Sequence, residues 1–207
     1  TLQDLERFIN EPQVEMDPIV RAALVHYQFE TAHPFLDGNG RLGRLLITLM
    51  LINDGVLHSC LFYPSFQFKK NRSEYYRQLT SVRERGTYEE WIEFFCNSLL
   101  ESAKDSVGSL KNLVDLHNRS TATITENLGR TAANGQRLLG ILEEHPIVDT
   151  AFIAAQLDIG RSTASSLVKS FEELGILRPL DESRQRYRQY GYEEYLSILR
   201  EDAEPIR

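Results

Sequence analysis

The chain has 207 residues, 42% of them hydrophobic and 26% charged, with a formal net charge of −7. That length accommodates one large domain or two small ones with real cores, and the composition is that of a soluble globular protein. The acidic balance excludes a generally basic nucleic-acid coat. The longest apolar run, Leu45 to Ile52, is broken by Thr48 and falls far short of a membrane span, so no membrane partner is expected. Cys60 and Cys96 lack metal-ligand spacing and read as buried packing residues in a reducing, cytoplasmic setting. The chain opens on Thr1 instead of Met, and a fragment of a longer protein is expected.

The first hundred residues predict helix after helix. Asp17 and Pro18 pair an N-cap with a proline at the first helical position. The segment Ile19 to Ala32 is apolar on more than one face, as a central buried helix requires. A second helix is expected from about Arg41 to Asp54, stopped by Gly55, and a third over about Gln67 to Arg85. Thr87 and Glu90 form a capping box ahead of Trp91, Ile92, Phe94, Phe95 and Leu99. Residues 102–130 are richer in Ser, Thr, Asn and Lys and read as an amphipathic connector.

Beyond it, Gln136–Glu144 predicts a short helix ended by Pro146. Asp149 or Thr150 caps a helix over Ala151–Leu157, and Ser162 caps a third helix ending at Gly175. Ile176–Leu180 and Arg186–Tyr190 read as two short strands around the turn Asp181, Glu182, Ser183, with a closing helix over Tyr192–Arg200. Three helices and a two-stranded wing predict a winged helix-turn-helix. The expected fold class is mainly α: an all-helical core over 1–105, a helical connector over 106–133, and a winged helix-turn-helix domain with a small two-stranded wing over 134–207.

The segment that carries chemistry is the loop from His33 to Arg44. Gly38 and Gly40 permit backbone geometries that turn successive N–H groups inward as an anion-binding nest. The following helix points its free N–H groups and positive dipole end the same way. Arg41 and Arg44 share a helical face beside that nest, and two guanidinium groups there imply a polyphosphate. Asp37 is a hard oxygen ligand suited to Mg²⁺. His33 is the one group here whose unperturbed pKa suits a general base near neutrality. Taken singly, a histidine at a helix end, a Gly-Asn-Gly turn and two helical arginines are ordinary structural features. Twelve residues that combine them all are not.

The string from His33 through Phe35, Asp37, Gly38, Asn39, Gly40 and Arg41 to Arg44 resembles the Fic-family motif, H-x-F-x-[D/E]-G-N-G-R-x-x-R, at every specified position. Phe8, Asp17, Pro18, the run His26, Tyr27, Gln28, Phe29, and the later Asn71, Arg72, Glu74, Tyr75 and Tyr76 resemble bacterial Fic proteins with a C-terminal winged helix. The resemblance implies an all-helical Fic core and protein adenylyltransfer. His33 would deprotonate a Ser, Thr or Tyr hydroxyl of a target protein, which attacks the α-phosphate of ATP. Phe35 would be an apolar anchor seating the loop, and Asp37 would hold Mg²⁺ against the phosphates. Gly38, Asn39, Gly40, Leu42 and Gly43 would line the phosphate cradle, and Arg41 and Arg44 would neutralise the departing pyrophosphate. Tyr75 would lie near the adenine, with a packing role equally open. Gly40 keeps the AMP-transfer form, whereas the Doc-type kinases carry lysine there.

The family's flap hairpin would lie upstream of Thr1, and the inhibitory pattern [S/T]-x-x-x-E-[G/N] is not matched. Its nearest candidate, Glu126–Asn127, has Ala122 where Ser or Thr should stand. Such an inhibitor is therefore expected in a preceding region. In the winged helix, Arg161, Ser162, Thr163, Ser165, Ser166, Lys169, Arg184, Arg186 and Arg188 could meet DNA phosphates. Residues 161–207 nonetheless hold eight basic against nine acidic side chains, so dimerisation or protein docking is favoured over DNA. The leading reading is a protein adenylyltransferase using ATP, with self-modification and a homodimer admitted. The alternative is a nucleotide-sensing DNA-binding regulator, and the intact His33 favours the enzyme.

Overall fold

The structure, a computed structural model, describes residues 2–11, 15–58, 64–181 and 188–201. The chain divides into two compact units that meet in sequence at Val107 and Gly108. The first holds helices α1 (Leu2–Asn10), α2 (Pro18–Ala32), α3 (Asn39–Asn53), α4 (Ser65–Lys70), α5 (Arg72–Arg85) and the first part of α6 (Tyr88–Asn127).

The expected start of α2 is present: Asp17 Oδ1 accepts the N–H groups of Ile19 and Val20 at 2.8 and 3.3 Å, and Pro18 fills the first helical position. Ala22, Ala23, Val25, His26 and Tyr27 are buried, so α2 is central, as its apolar residues on several faces require. Gly55 takes φ 72° just beyond α3 and donates its N–H to Ile52 O. The core of this unit is aromatic. Trp91, fully buried, donates its indole N–H to Ala23 O at 2.9 Å and packs with Phe95. Arg21 of α2 bonds both carboxylate oxygens of Asp54 after α3 and donates to Ile9 O of α1 at 3.3 Å, joining three elements.

One expectation is corrected here. The single helix over Gln67–Arg85 is two helices, interrupted at Asn71 (φ −103°, ψ 35°). The Asn71 side chain donates to Gln67 O at 3.1 Å, a local bond of the kind that competes with helix propagation. The stretch after Ser102 stays helical, within α6, as far as Asn127. Its polar residues satisfy themselves inside the helix, Thr123 and Thr125 donating to the carbonyls of Arg119 and Thr121.

The second unit begins within α6. It continues through a 3-10 turn (Gly129–Thr131), α7 (Ala132–Glu144), β1 (Ile147–Asp149), α8 (Thr150–Leu157), α9 (Arg161–Glu173), β2 (Arg178–Pro179), β3 (Gln189–Gly191) and α10 (Glu193–Glu201). Its sheet has three antiparallel strands in the order β1-β3-β2, not two, with Val148 opposite Tyr190 and Arg178 opposite Gly191. Strand β1 escapes the sequence because three residues with one buried side chain show no alternation. The strand expected over Ile176–Leu180 is only Arg178–Pro179, because Ile176 and Leu177 turn into the core. Asp149 caps α8 as expected, accepting Phe152 N–H at 2.7 Å, while α9 is capped by Gly160 and not by Ser162. Leu138, Leu139, Leu142, Ile153 and Phe171, all fully buried, form the core. Tyr192 closes it with a 2.8 Å hydroxyl contact to Ser120.

Glu182, Ser183, Arg184, Arg186 and Cys60 lie outside the described residues. Cys96 is a free thiol and half-buried, not fully buried. Among the described residues no helix is long and apolar enough to cross a membrane.

Candidate active site

The loop is made by how α2 stops and how α3 starts. His33 ends α2 in the left-handed conformation (φ 45°, ψ 56°) and donates its N–H to Phe29 O at 3.0 Å. That conformation is unfavourable for a residue with a Cβ, and Pro34 cannot extend the helix. The exit direction is therefore fixed, and the His33 side chain is left exposed. At the other end Gly38 takes φ 82° as the N-cap of α3, a geometry suited to glycine.

Between them the loop is fastened from within. Asn39 is 2% exposed; its Oδ1 accepts Phe35 N–H at 2.9 Å, and its Nδ2 donates to Phe35 O at 2.6 Å. The Asn39 side chain thus shapes the loop from within. Phe35 is seated through these backbone bonds and not through its ring, which is 51% exposed and only skirts Phe29 at 6.5 Å between centroids.

Helix α3 begins at Asn39, two residues earlier than expected, so Arg41 lies in its first turn. The N–H groups of Asn39, Gly40 and Arg41 precede the first intrahelical bonds and make the free end. Leu42 N–H is already committed to Gly38 O at 3.0 Å, and the Leu42 side chain is exposed. Asp37 and Arg41 are both well exposed and 3.9 Å apart. Arg44 is held more firmly, donating Nε–H to Ser65 Oγ at 3.1 Å.

Gly43 serves close packing. A Cβ there would lie 2.6 Å from Glu30 Oε1 and 3.2 Å from the His26 ring. Tyr75 is 4% exposed in the aromatic core, with its hydroxyl 3.0 Å from His26 Nε2. Burial holds the Tyr75 hydroxyl well above the usual range. Burial also lowers the fully buried His26 to about 4, so its imidazole is neutral at physiological pH. Its Nδ1 faces the Gly43 backbone without a well-aligned hydrogen bond. Gly43→Ala is expected to cost about 1–3 kcal/mol through overpacking against this locked ring. Gly40→Ala, whose Cβ meets mainly the end of the Arg44 side chain at 3.0 Å, should cost less; urea denaturation of the two variants tests the order.

Sequence reasoning missed two residues. Ser65 lies outside the motif and carries no signal. Glu30 did carry one, as the acidic residue of α2 placed one turn before His33. Its Oε1 is buried without a hydrogen-bond partner. Burial raises its carboxyl above the usual range, against the opposing pull of Arg44 and His33.

The donor set also bears on Mg²⁺. Among the described residues no group of three His, Cys, Asp or Glu side chains could hold a metal ion. One exposed carboxylate, Asp37, beside a helix start fits an ion that takes its other ligands from phosphate oxygens and water.

Residues 1–51 match the family model described as the Fic/DOC family. Protein adenylyltransferase fic-1 of Caenorhabditis briggsae is 34% identical over 111 residues, covering 53% of this chain and 20% of that protein. Its Caenorhabditis elegans counterpart is 33% identical over 115 residues, covering 55% and 21%. Protein adenylyltransferase Fic of Drosophila ananassae is 36% identical over 97 residues, covering 46% and 18%. The chain therefore spans about a fifth of the length of these curated relatives. A solved Fic family protein from Desulfovibrio desulfuricans G20 is 22% identical and aligns over 91% of this chain and 52% of that one. The TM-score of that alignment is 0.49. Joined to the loop between His33 and Arg44, the family match and the sequence relatives support a Fic-family protein.

Proposed function

We propose that this chain carries the chemistry of a protein adenylyltransferase. The observation that bears most weight is the juxtaposition at one loop: the exposed His33 ends α2, and the free N–H groups of Asn39, Gly40 and Arg41 open α3. A target hydroxyl gives its proton to His33 as its oxygen bonds the α-phosphorus of ATP. The bond from that phosphorus to the bridging oxygen breaks, and pyrophosphate leaves. Arg41 and Arg44 offset the charge that builds on the leaving group. Asp37 would hold Mg²⁺, which supplies further neutralisation of phosphate charge when bound. The partners on this reading are ATP and a Ser, Thr or Tyr hydroxyl of a target protein, with self-modification included. The free thiol of Cys96 fits a reducing, cytoplasmic setting.

The second unit is read as a winged helix-turn-helix, supported by α7, α8 and α9 with the small antiparallel sheet. We assign it to protein docking or to a homodimer. Arg161, Ser162, Thr163, Ser165 and Ser166 are exposed on α9, but Lys169 is already near Glu173 at 3.7 Å, and the domain's charge favours no nucleic acid.

Donor labelling tests the enzymatic reading. In lysate supplied with the protein and ATP, label on the α-phosphate should reach protein and label on the γ-phosphate should not. Transfer of γ-label would make the activity a kinase and overturn the role given to Gly40.

A further inference from the structure

Glu30 is left unused by the mechanism above. It lies one turn before His33 on α2, and its side chain crosses to the first turns of α3. A Cβ on Gly43 would sit 2.6 Å from Glu30 Oε1. A Cβ on Gly40 would sit 3.8 Å from that same oxygen and 3.0 Å from Arg44 Nη1. The carboxylate and the guanidinium thus both lie near one glycine, which carries no Cβ. Oε1 is shielded from water yet accepts no hydrogen bond. A carboxylate kept only for packing would be expected to find a donor, because an unpaired buried oxygen is costly. What this one faces is the Arg44 guanidinium on α3, His33 and the neutral His26 on its own helix, and the Tyr75 hydroxyl on α5.

We infer that Glu30 is a positioning residue for the anion site, the resident counter-ion that steers the Arg44 guanidinium toward Gly40 and that an incoming polyphosphate must outcompete. The inference rests on the proposed reading that this loop takes ATP. It follows that Glu30 keeps Arg44 aimed at the helix start, its Nε–H on Ser65 Oγ. A bound polyphosphate then places a second anion against the same guanidinium, and the two anions repel at short range. Neutralising Glu30, by proton or by substitution, removes that opposition. The buried, unpartnered oxygen is the side of the carboxylate that resists charge already, and the arriving phosphates add to that resistance.

The experiment is ATP binding by calorimetry across a pH series, for the wild-type chain, Glu30→Gln and Glu30→Asp. Beside it, the Arg44 Nε–H resonance of the ligand-free chain is followed by NMR. Glu30→Gln should bind ATP about three- to tenfold more tightly than wild type at neutral pH. The ratio of their affinities should close to one at acid pH, where the wild-type carboxyl is protonated too; protonation of ATP itself cancels in the ratio. Glu30→Asp keeps the charge and should keep the wild-type profile. The Arg44 resonance should titrate in wild type and stay still in Glu30→Gln. Equal or weaker binding by Glu30→Gln at every pH overturns the inference and leaves the adenylyltransferase reading standing. Absence of ATP binding in all three chains overturns that reading. In that case the Arg44 resonance decides the steering alone, static in wild type meaning that Glu30 does not hold the arginine.

Discussion

Replacing His33 with alanine is expected to abolish transfer of α-label from ATP to protein, a loss of about 10²–10⁴-fold, while ATP affinity and thermal stability stay near wild type. The asymmetry follows from where His33 sits. Its side chain is exposed, and its structural task at the end of α2 is performed by the backbone, through the N–H bond to Phe29 O. Alanine keeps that bond, and the affected surface is already in water, so stability should move little. The phosphate-facing groups belong to α3 and are untouched. Only proton removal from the attacking hydroxyl is lost, and it is lost in the transition state, where it bears on rate alone. Labelling of the same protein by wild type and His33→Ala at equal rates, with both chains folded, would remove His33 from the mechanism.

The site was legible in the sequence as chemistry but only partly as geometry. His33, Asp37, Arg41 and Arg44 announce themselves because their side-chain types are what a polyphosphate site needs, and their spacing survives any local detail of the loop. Asn39 is harder to read, since an amide beside glycines suits a phosphate oxygen and a backbone pair equally well. Which it serves depends on the loop closing so that Phe35 presents both its N–H and its C=O. Phe35 misleads for the matching reason: a phenylalanine in a motif suggests a buried ring, yet its fastening groups are on the main chain. The roles of Gly43 and Tyr75 depend on what lies across from them. His26 lies 49 positions from Tyr75 along the chain, and no local pattern reports that the two touch.

The fold divides along the same line. Helix α2 was legible because Asp17, Pro18 and the apolar residues act within one or two turns, and Gly55 marked the end of α3 just as locally. Asn71 is a polar residue of unremarkable helix propensity, so its interruption of the α4–α5 stretch depends on the Gln67 carbonyl it bonds. Gln67 is itself held by Asp105 at 2.6 Å, from the long helix α6. Strand β1 exists only because Gln189–Gly191 arrives beside it some forty residues later. Such pairing is dictated by tertiary closure and leaves almost no trace in three residues.

Acid should destabilise the first unit through His26, and the size of the effect is large for one side chain. The unfolded imidazole takes up a proton near 6.5, whereas the folded one resists until about 4, principally because it is fully buried among Phe68, Tyr75, Trp91 and Phe95. As pH falls the unfolded state therefore gains its proton first. The stabilisation is complete above 6.5 and drains away as pH falls toward about 4, by about 3 kcal/mol in all. Glu30 acts in the opposite sense. Its raised carboxyl binds a proton more readily in the folded chain, so it restores some stability as pH falls. Trp91, the one tryptophan of the chain, stacks 6.1 Å from the His26 ring and reports this unit by fluorescence. Urea denaturation followed at Trp91 should show a falling midpoint below neutrality in wild type and a steeper fall in Glu30→Gln, which lacks the compensating proton. His26→Phe should start lower, having lost the bond to Tyr75, but lose less as the solution is acidified. Parallel pH curves for wild type and His26→Phe would mean that the buried imidazole is not what acid attacks. A shallower curve for Glu30→Gln would show that burial does not raise the Glu30 carboxyl in the folded chain.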